Sequence, residues 1–472
     1  MYRRACSMRK LNEYRIRKSE RMYDELTRVV DIQKSRMANF LRFRKDPLGF
    51  LVDALPLGDV VSLRTSAFQP TYIVNSPDFI QELLVHEEEN LRKGRSSSVL
   101  RRTVGDGLLT TEQEEHRRQK RYMMPTFYKE RIQTYARIVT EETERVADGL
   151  KAGEPVAMHD LMMRLTLGII SRSLFNTELD EEKAKLADAV DVTIRQSAGT
   201  IFSPIIWPFA LPTPGNIRLK KAIGTLEALI FGAIAAARQA PERYADTMLG
   251  LLMDTKDEEG QPIPDQEIRD QMMTMLLAGH ETTANALVWA WYALEREPQA
   301  ERRLHEEVDA LRSKERASGE PLPAYDRYRQ LTYTKQVVQE TLRLYPPAWA
   351  ILRETEREIE MLGERFERNS SFLISPYAIH RNAEVFGDAG AFRPERFDEG
   401  ISQWPKFAYF PFGGGSRGCI GSQFALMEAG LILSTLAERF RFVSAQGQGE
   451  GEPEPLVSLR LKNGRLMVPI SR

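Results

Sequence analysis

Cys419 stands where a sulfur anion could be held. It lies in Phe412-Gly-Gly-Gly415-Ser-Arg417-Gly-Cys419-Ile-Gly421, a glycine-rich turn that feeds an apolar helical run. A helix N-terminus at that place offers backbone N–H groups and a favourable dipole to a thiolate, the form of cysteine that ligates metals. A flexible linker does not account for the segment. Tyr409-Phe-Pro-Phe412 precedes it, and Phe424 to Leu433, patterned as an amphipathic helix, follows it. A phosphate-cradling loop needs a Gly-Lys-Ser/Thr ending, which is missing.

A second place with chemistry is Ala278-Gly279-His280-Glu281-Thr282-Thr283, in the middle of the apolar run Met272 to Leu294. Polar side chains at the centre of such a run argue against a lipid-facing span and for a helix crossing the protein interior. The run is expected to begin near Pro264-Asp265, with Asp265 as cap, and to stop before Pro298. Gly279 weakens the helix, and the Thr282 hydroxyl can bond back to the carbonyl of Ala278, so a local distortion with room for a small molecule is expected there.

The ten residues from Phe412 to Gly421 resemble the haem-binding signature of the cytochrome P450 family, Phe-x-x-Gly-x-Arg-x-Cys-x-Gly, and meet every fixed position. The resemblance implies that haem b is bound with Cys419 as the axial iron ligand, a thiolate that pushes electron density onto iron. Arg417 then reaches a haem propionate, Phe412 covers the sulfur, Gly415 lets the backbone lie against the macrocycle, and Gly421 keeps the next helix close to the ring. The segment from Ala278 to Thr283 is similar to the family's Ala/Gly-Gly-x-Asp/Glu-Thr-Thr motif. That implies Ala278 over the haem, Thr282 as the hydrogen-bond partner of dioxygen, and Glu281 in a relay that brings protons from solvent.

Three further segments extend the resemblance, which runs from about Phe40 to the C-terminus. Glu340-Thr-Leu-Arg343 reads on its own as an ordinary i,i+3 ion pair. With Arg396 of Pro394-Glu-Arg396-Phe397 it resembles the family's buried network behind the cysteine loop, a structural and not a catalytic role. His116 and Lys120 share a helix face ending near Pro125, as in the family's propionate-binding helix. Lys120 stands where arginine is usual, keeping the charge but losing the bidentate fork. Arg353 is a further propionate candidate, its other reading being a solvated strand residue.

The expected fold is mainly α with a small β region, the haem lying between the long central helix and the cysteine-bearing helix. Gly58 to Leu63 and Thr71 to Val74 read as strands, and Ser375 to Arg381 as a return strand and turn. No linker, repeat or composition break follows residue 45, so residues 40–472 are expected to form a single haem domain. Residues 1–39 read as a basic N-terminal extension, helical or partly disordered. Eleven basic against five acidic side chains in residues 1–36 give it a charge of +6. It could contact a membrane surface or partner, though a solvated tail is the favoured reading.

A net charge of −1 from 66 basic and 67 acidic residues argues against a nucleic-acid partner. Two cysteines, one committed, leave no disulfide framework and fit a reducing, cytoplasmic setting. No stretch reads as a transmembrane anchor, so a soluble protein is expected. The resemblance implies monooxygenation of a lipophilic small molecule by O2. With no flavin or iron–sulfur segment, electrons from NAD(P)H are expected through a ferredoxin, flavodoxin or reductase. Arg118, Arg121, Lys129, Lys335 and Lys406 could form its docking face, or be ordinary solubility charge. Val99, Leu109, Ala348 and Ile351, with a lid around Thr200 to Leu211, are candidate pocket walls. They would suit a fatty acid, terpenoid or steroid. A peroxide-driven peroxygenase and a non-enzymatic haem sensor or carrier stay open as alternatives.

Overall fold

The computed structural model describes residues 28–32, 36–63, 69–176, 183–201, 203, 207–257 and 259–472. Most of the basic extension and part of the expected lid lie outside the described residues. The boundary expected at residue 39 falls inside a helix, Arg36–Lys45, and Val29–Asp31 is already a strand of the main sheet.

Helices dominate, as expected. Those that place the site are α1 (Arg95–Val104), α2 (Gln113–Met123), α3 (Lys129–Gly149), α4 (Met158–Phe175), α5 (Asp265–Arg296), α6 (Thr332–Leu344) and α7 (Ser422–Ala437). The 32-residue α5 crosses the interior, buried on nearly every side, and Trp289 on it stacks against Tyr345 at 4.0 Å between ring centroids. Pro264 and not Asp265 occupies its N-cap, because the Asp265 carboxylate turns outward to pair with Arg238. The Thr282 hydroxyl does bond back to the Ala278 carbonyl, at 2.9 Å, but the helix runs through that point unbroken. Packing from both sides holds the ladder where glycine and threonine would loosen it.

The cysteine-bearing α7 departs from the amphipathic reading. From Met427 to Ala437 every residue is buried, because α3, α5 and α6 all pack on it. A helix enclosed on several sides has no wet face to keep polar.

One mixed sheet of six strands covers the other side: β1 (Val29–Asp31), β2 (Val60–Leu63), β3 (Thr71–Val74), β4 (Leu91–Arg92), β5 (Ile351–Thr355) and β6 (Ser371–Ile374). Their order is β1-β2-β3-β6-β5-β4. The expected return strand at Ser375 to Arg381 is corrected: pairing ends at Ile374, and the Ser375 hydroxyl caps a short helix, Pro376–Ile379, by accepting from the Ala378 N–H. Ser-Pro fits a helix start better than a strand, since proline suits the first helical position.

Candidate functional site

The loop before Cys419 is closed on itself. The Cys419 N–H donates to the Phe412 carbonyl at 2.9 Å, and the Gly418 N–H to that of Gly415 at 3.2 Å. Gly415 has φ +69°, and a Cβ there would stand 1.8 Å from the Leu84 carbonyl oxygen, so only glycine fits. The Ser416 N–H donates to Glu88 at 2.9 Å, and Lys120 donates to the Ser416 carbonyl. The structure thus brings Lys120 to the cysteine loop. Cys419 is open to solvent although protein surrounds it closely, the condition of a group at the floor of a cavity. Burial pushes its thiol pKa up, while the Gly421 N–H and the Lys120 charge pull it down. Gly421 is the N-cap of α7 and faces the Phe127 ring.

Behind this loop, Arg343 grips Glu340 through two bonds of 2.7 and 2.9 Å, and Arg396 Nε reaches the same carboxylate at 3.2 Å. The remaining guanidinium donors go to the carbonyls of Phe386, Asp388, His380, Ala389 and Ala391. Glu340 and Arg343 have no exposed surface at all. Such a pair is costly to desolvate and persists because each polar atom finds a partner.

The propionate candidates converge. His116 feels the charges of Lys93, Arg417, Lys120 and Arg353 together; burial first, then those cations, push its pKa down to about 3, so the ring is neutral. Arg353 is likewise pushed down, to about 10, by burial and then by Arg417. It lies in strand Ile351–Thr355 but is enclosed rather than solvated, beside Arg417. Glu112, 3.2 Å from Arg417, is the carboxylate that reaches into the group. Arg417 Nη2 also donates to the Leu91 carbonyl at 2.8 Å, but its buried Nη1 has no partner. The Lys93 ammonium, overlooked in the sequence, donates to the carbonyls of Leu108, Leu109 and Thr111 at 2.8–2.9 Å. Burial above all drives its pKa down to about 7. Nothing in Leu91-Arg-Lys-Gly94 distinguishes that lysine from a surface one.

Haem b, the group implied by the resemblance, fits this donor set. One accessible sulfur sits at a glycine cradle, and a surplus of cations, one with an unsatisfied buried N–H, stands beside it for two carboxylates.

On the long helix, Ala278 is exposed and Gly279 and Thr282 are half-buried, in the middle of an otherwise buried stretch. The helix is fixed there by α4: a Cβ on Gly279 would stand 3.1 Å from Ile170, and the Thr166 hydroxyl donates to the His280 carbonyl at 3.0 Å. Glu281 is buried among partners that the sequence did not reveal. Ser458 donates to its Oε1 at 2.8 Å, and Arg460 reaches the same oxygen at 2.7 and 2.8 Å. Arg460 continues to Asp191 at 3.3 Å, a carboxylate with 38 % of its side chain exposed. Glu281 Oε2 makes no hydrogen bond among the described residues and is not sealed off. The two donors lie on the Pro453–Pro455 and Leu459–Leu461 hairpin, 177 and 179 positions away along the chain, which is why only the fold exposes them.

Of the pocket candidates, Ala348 and Leu109 are exposed, Ile351 is half-buried and Val99 is buried. Of the proposed docking charges, Arg121, Lys129 and Lys406 are exposed and Arg118 and Lys335 half-buried; Arg118 pairs with Glu115 and Glu267, and Lys335 donates to the Arg329 carbonyl. Among the described residues no helix is long and apolar enough to cross a membrane.

Comparison with known proteins agrees with this geometry. The cytochrome P450 family profile matches residues 55–468. Cyclooctatin synthase of Streptomyces melanosporofaciens is 35 % identical over 404 residues, 85 % of this chain and 86 % of that protein. Cyclooctat-9-en-7-ol 5-monooxygenase of the same organism is 32 % identical over 400 residues, 84 % and 85 % of the two chains. Pentalenene oxygenase of Streptomyces avermitilis is 30 % identical over 402 residues, 84 % and 86 %. A family match over most of the length, relatives that are oxygenases and a site fitted to haem and thiolate lead to one conclusion: the chain belongs to the cytochrome P450 family of haem-thiolate oxygenases.

Proposed function

We propose that this enzyme is a monooxygenase that places one atom of O2 into a lipophilic cyclic hydrocarbon or its alcohol and releases the other as water. Two electrons come from NAD(P)H through a separate ferredoxin, flavodoxin or reductase, in the cytoplasm. The observation that carries the reading is the pairing of an accessible Cys419 at a glycine cradle with the cation cluster beside it. The substrate class rests on the relatives, whose names are those of terpene alkenes and alkenols. Apolar Ala278, Ala348 and Ile351 suit such a molecule.

Bound haem supplies the iron that activates O2, with electron density pushed from the thiolate. The chain's own residues do the rest. Cys419 holds the iron, while Arg417, Arg353, Lys93 and neutral His116 hold the propionates. Lys120 fixes the cysteine loop through Ser416. Glu281 passes a proton through Oε2, since Ser458 and Arg460 fasten Oε1 and leave the other oxygen without a hydrogen bond among the described residues. Thr282 accepts that proton at its hydroxyl oxygen as it hands on its own hydroxyl proton, which is how a placed donor avoids wasting reduced oxygen. Arg121, Lys129 and Lys406 form the reduced docking face for the electron donor.

The test is the carbon monoxide difference spectrum of the reduced, haem-loaded protein, followed by turnover of pentalenene-type alkenes with 18O2 and a ferredoxin system. A strongly red-shifted Soret band and one labelled oxygen per product are expected. A red-shifted band with label only from peroxide would convert the assignment to a peroxygenase, and absence of the band would defeat it.

A further inference from the structure

We propose that the cleft where α1 meets Phe209 and the helix Pro214–Gln239 binds a small organic oxyanion, a carboxylate or a phosphate ester. Its lining includes Phe209 of the expected substrate lid but none of the residues that would hold the haem. Its volume is about 390 Å³, room for a compact metabolite.

Arg101, Arg102, Lys220 and Arg269 line the cleft, with Glu227 as the acid among its walls. That acid is already committed, its Oε1 lying 2.7 Å from Arg269 Nη2. Nearby carboxylates are committed as well. Asp270 takes Arg269 Nη1 at 2.8 Å and Gln266 at 3.0 Å, Asp106 takes Arg101 at 2.9 Å, and Asp265 pairs with Arg238. The positive charge left over falls on Arg102 and Lys220, which have no carboxylate partner among the described residues. Both rest on the Phe209 ring, at 5.9 and 5.2 Å from its centroid, and Arg102 also donates to the Trp207 carbonyl at 3.2 Å.

A cation on an aromatic face is held less firmly than one in a charge-assisted hydrogen bond, so both are free to turn onto an incoming anion. The floor of the cleft carries the second sign. The Arg269 side chain is only 4 % exposed, and its fork is fixed by Asp270 and Glu227. Two mobile cations at the rim above a fixed guanidinium edge at the floor match an oxyanion with several acceptor oxygens, and Ile223 and the Phe209 ring edge would cover its carbon part.

The test is calorimetric titration of the haem-loaded full chain at low ionic strength with inorganic pyrophosphate and, separately, with citrate. One saturable site is expected for at least one of the two, and which one distinguishes a phosphate from a carboxylate ligand. Arg102→Gln and Lys220→Gln should each weaken it tenfold or more, while Lys406→Gln, which does not line the cleft, should leave it unchanged. No saturable heat with either anion, or an equal loss in the Lys406 variant, overturns the proposal. The readout is heat and not turnover, so it stands or falls apart from the monooxygenase reading.

Discussion

Behind Cys419 the buried charges are saturated: Glu340, Arg343 and Arg396 share one another and a ring of backbone carbonyls. Across the site, near the middle of α5, buried acids keep spare oxygens. Glu281 leaves Oε2 unbonded, and Glu428 on α7 has no hydrogen bond to either oxygen, with Thr283 as the polar side chain facing it. The difference follows from what each side must do. An axial ligand has to be held still, which calls for closed networks; a proton route has to change its hydrogen bonds, which calls for open valences.

The first way to break this comparison is to open the closed side. Glu340→Gln leaves Arg343 buried with half its partner gone, a change that costs about 3–5 kcal/mol in such settings. Thermal unfolding of the haem-loaded protein should show a large fall in midpoint and early haem loss. A variant as stable as the parent would mean the triad is not what holds the loop.

Next in size is the open side. Glu281→Gln keeps the bond from Ser458 but removes the oxygen that can pass a proton, and turnover should fall by roughly 10²-fold, within the range of a lost acid–base group. Folding should suffer less than in Glu340→Gln, because Arg460 keeps Asp191 as a second carboxylate, whereas Arg343 and Arg396 share Glu340. Turnover unchanged in this variant would move the proton route elsewhere. Thr282→Ala removes a hydroxyl bonded only to its own helix, at 2.9 Å from the Ala278 carbonyl. Electron consumption should continue while the product formed per electron pair drops severalfold, measured as NAD(P)H used against product and peroxide. Coupling at the parental level would deny Thr282 its role.

What could be read in the sequence divides along the same line. The cysteine loop was legible because its requirements are local: glycines for the turn, an arginine two residues before the cysteine, and a helix start directly after it. Glu340 and Arg343 were legible as an i,i+3 pair, though not their complete burial. Lys93, Ser458 and Arg460 were not legible, because their roles come from partners that only the fold brings near. Arg460 meets Glu281 across 179 positions, and Lys93 takes its carbonyls from the turn after α1. In a strand such as Leu459–Leu461 an arginine reads as the wet face. Here it is buried, because α5 passes over the hairpin and supplies the counter-charge. The same kind of tertiary packing turned α7 from a one-sided helix into an enclosed one.

The smallest expected effect on turnover belongs to Glu428, which touches neither the iron ligand nor Thr282. Burial raises its pKa from an ordinary 4.5 to about 8, with a minor opposing pull from Thr283. Below the ordinary value both folded and unfolded chains carry the proton. Between there and about 8 the folded chain keeps it while the unfolded chain has released it, so the folded state binds more protons and stability falls as pH rises. Above about 8 the carboxylate ionises in both states and the loss levels off. Glu428→Gln removes this dependence. Melting curves from pH 5 to 9 should therefore show the variant gaining on the parent as pH increases, with turnover at neutral pH nearly unchanged. Parallel curves would mean that Glu428 is ionised in the fold and has found a cation, and the open side of the site would then be as closed as the side behind Cys419.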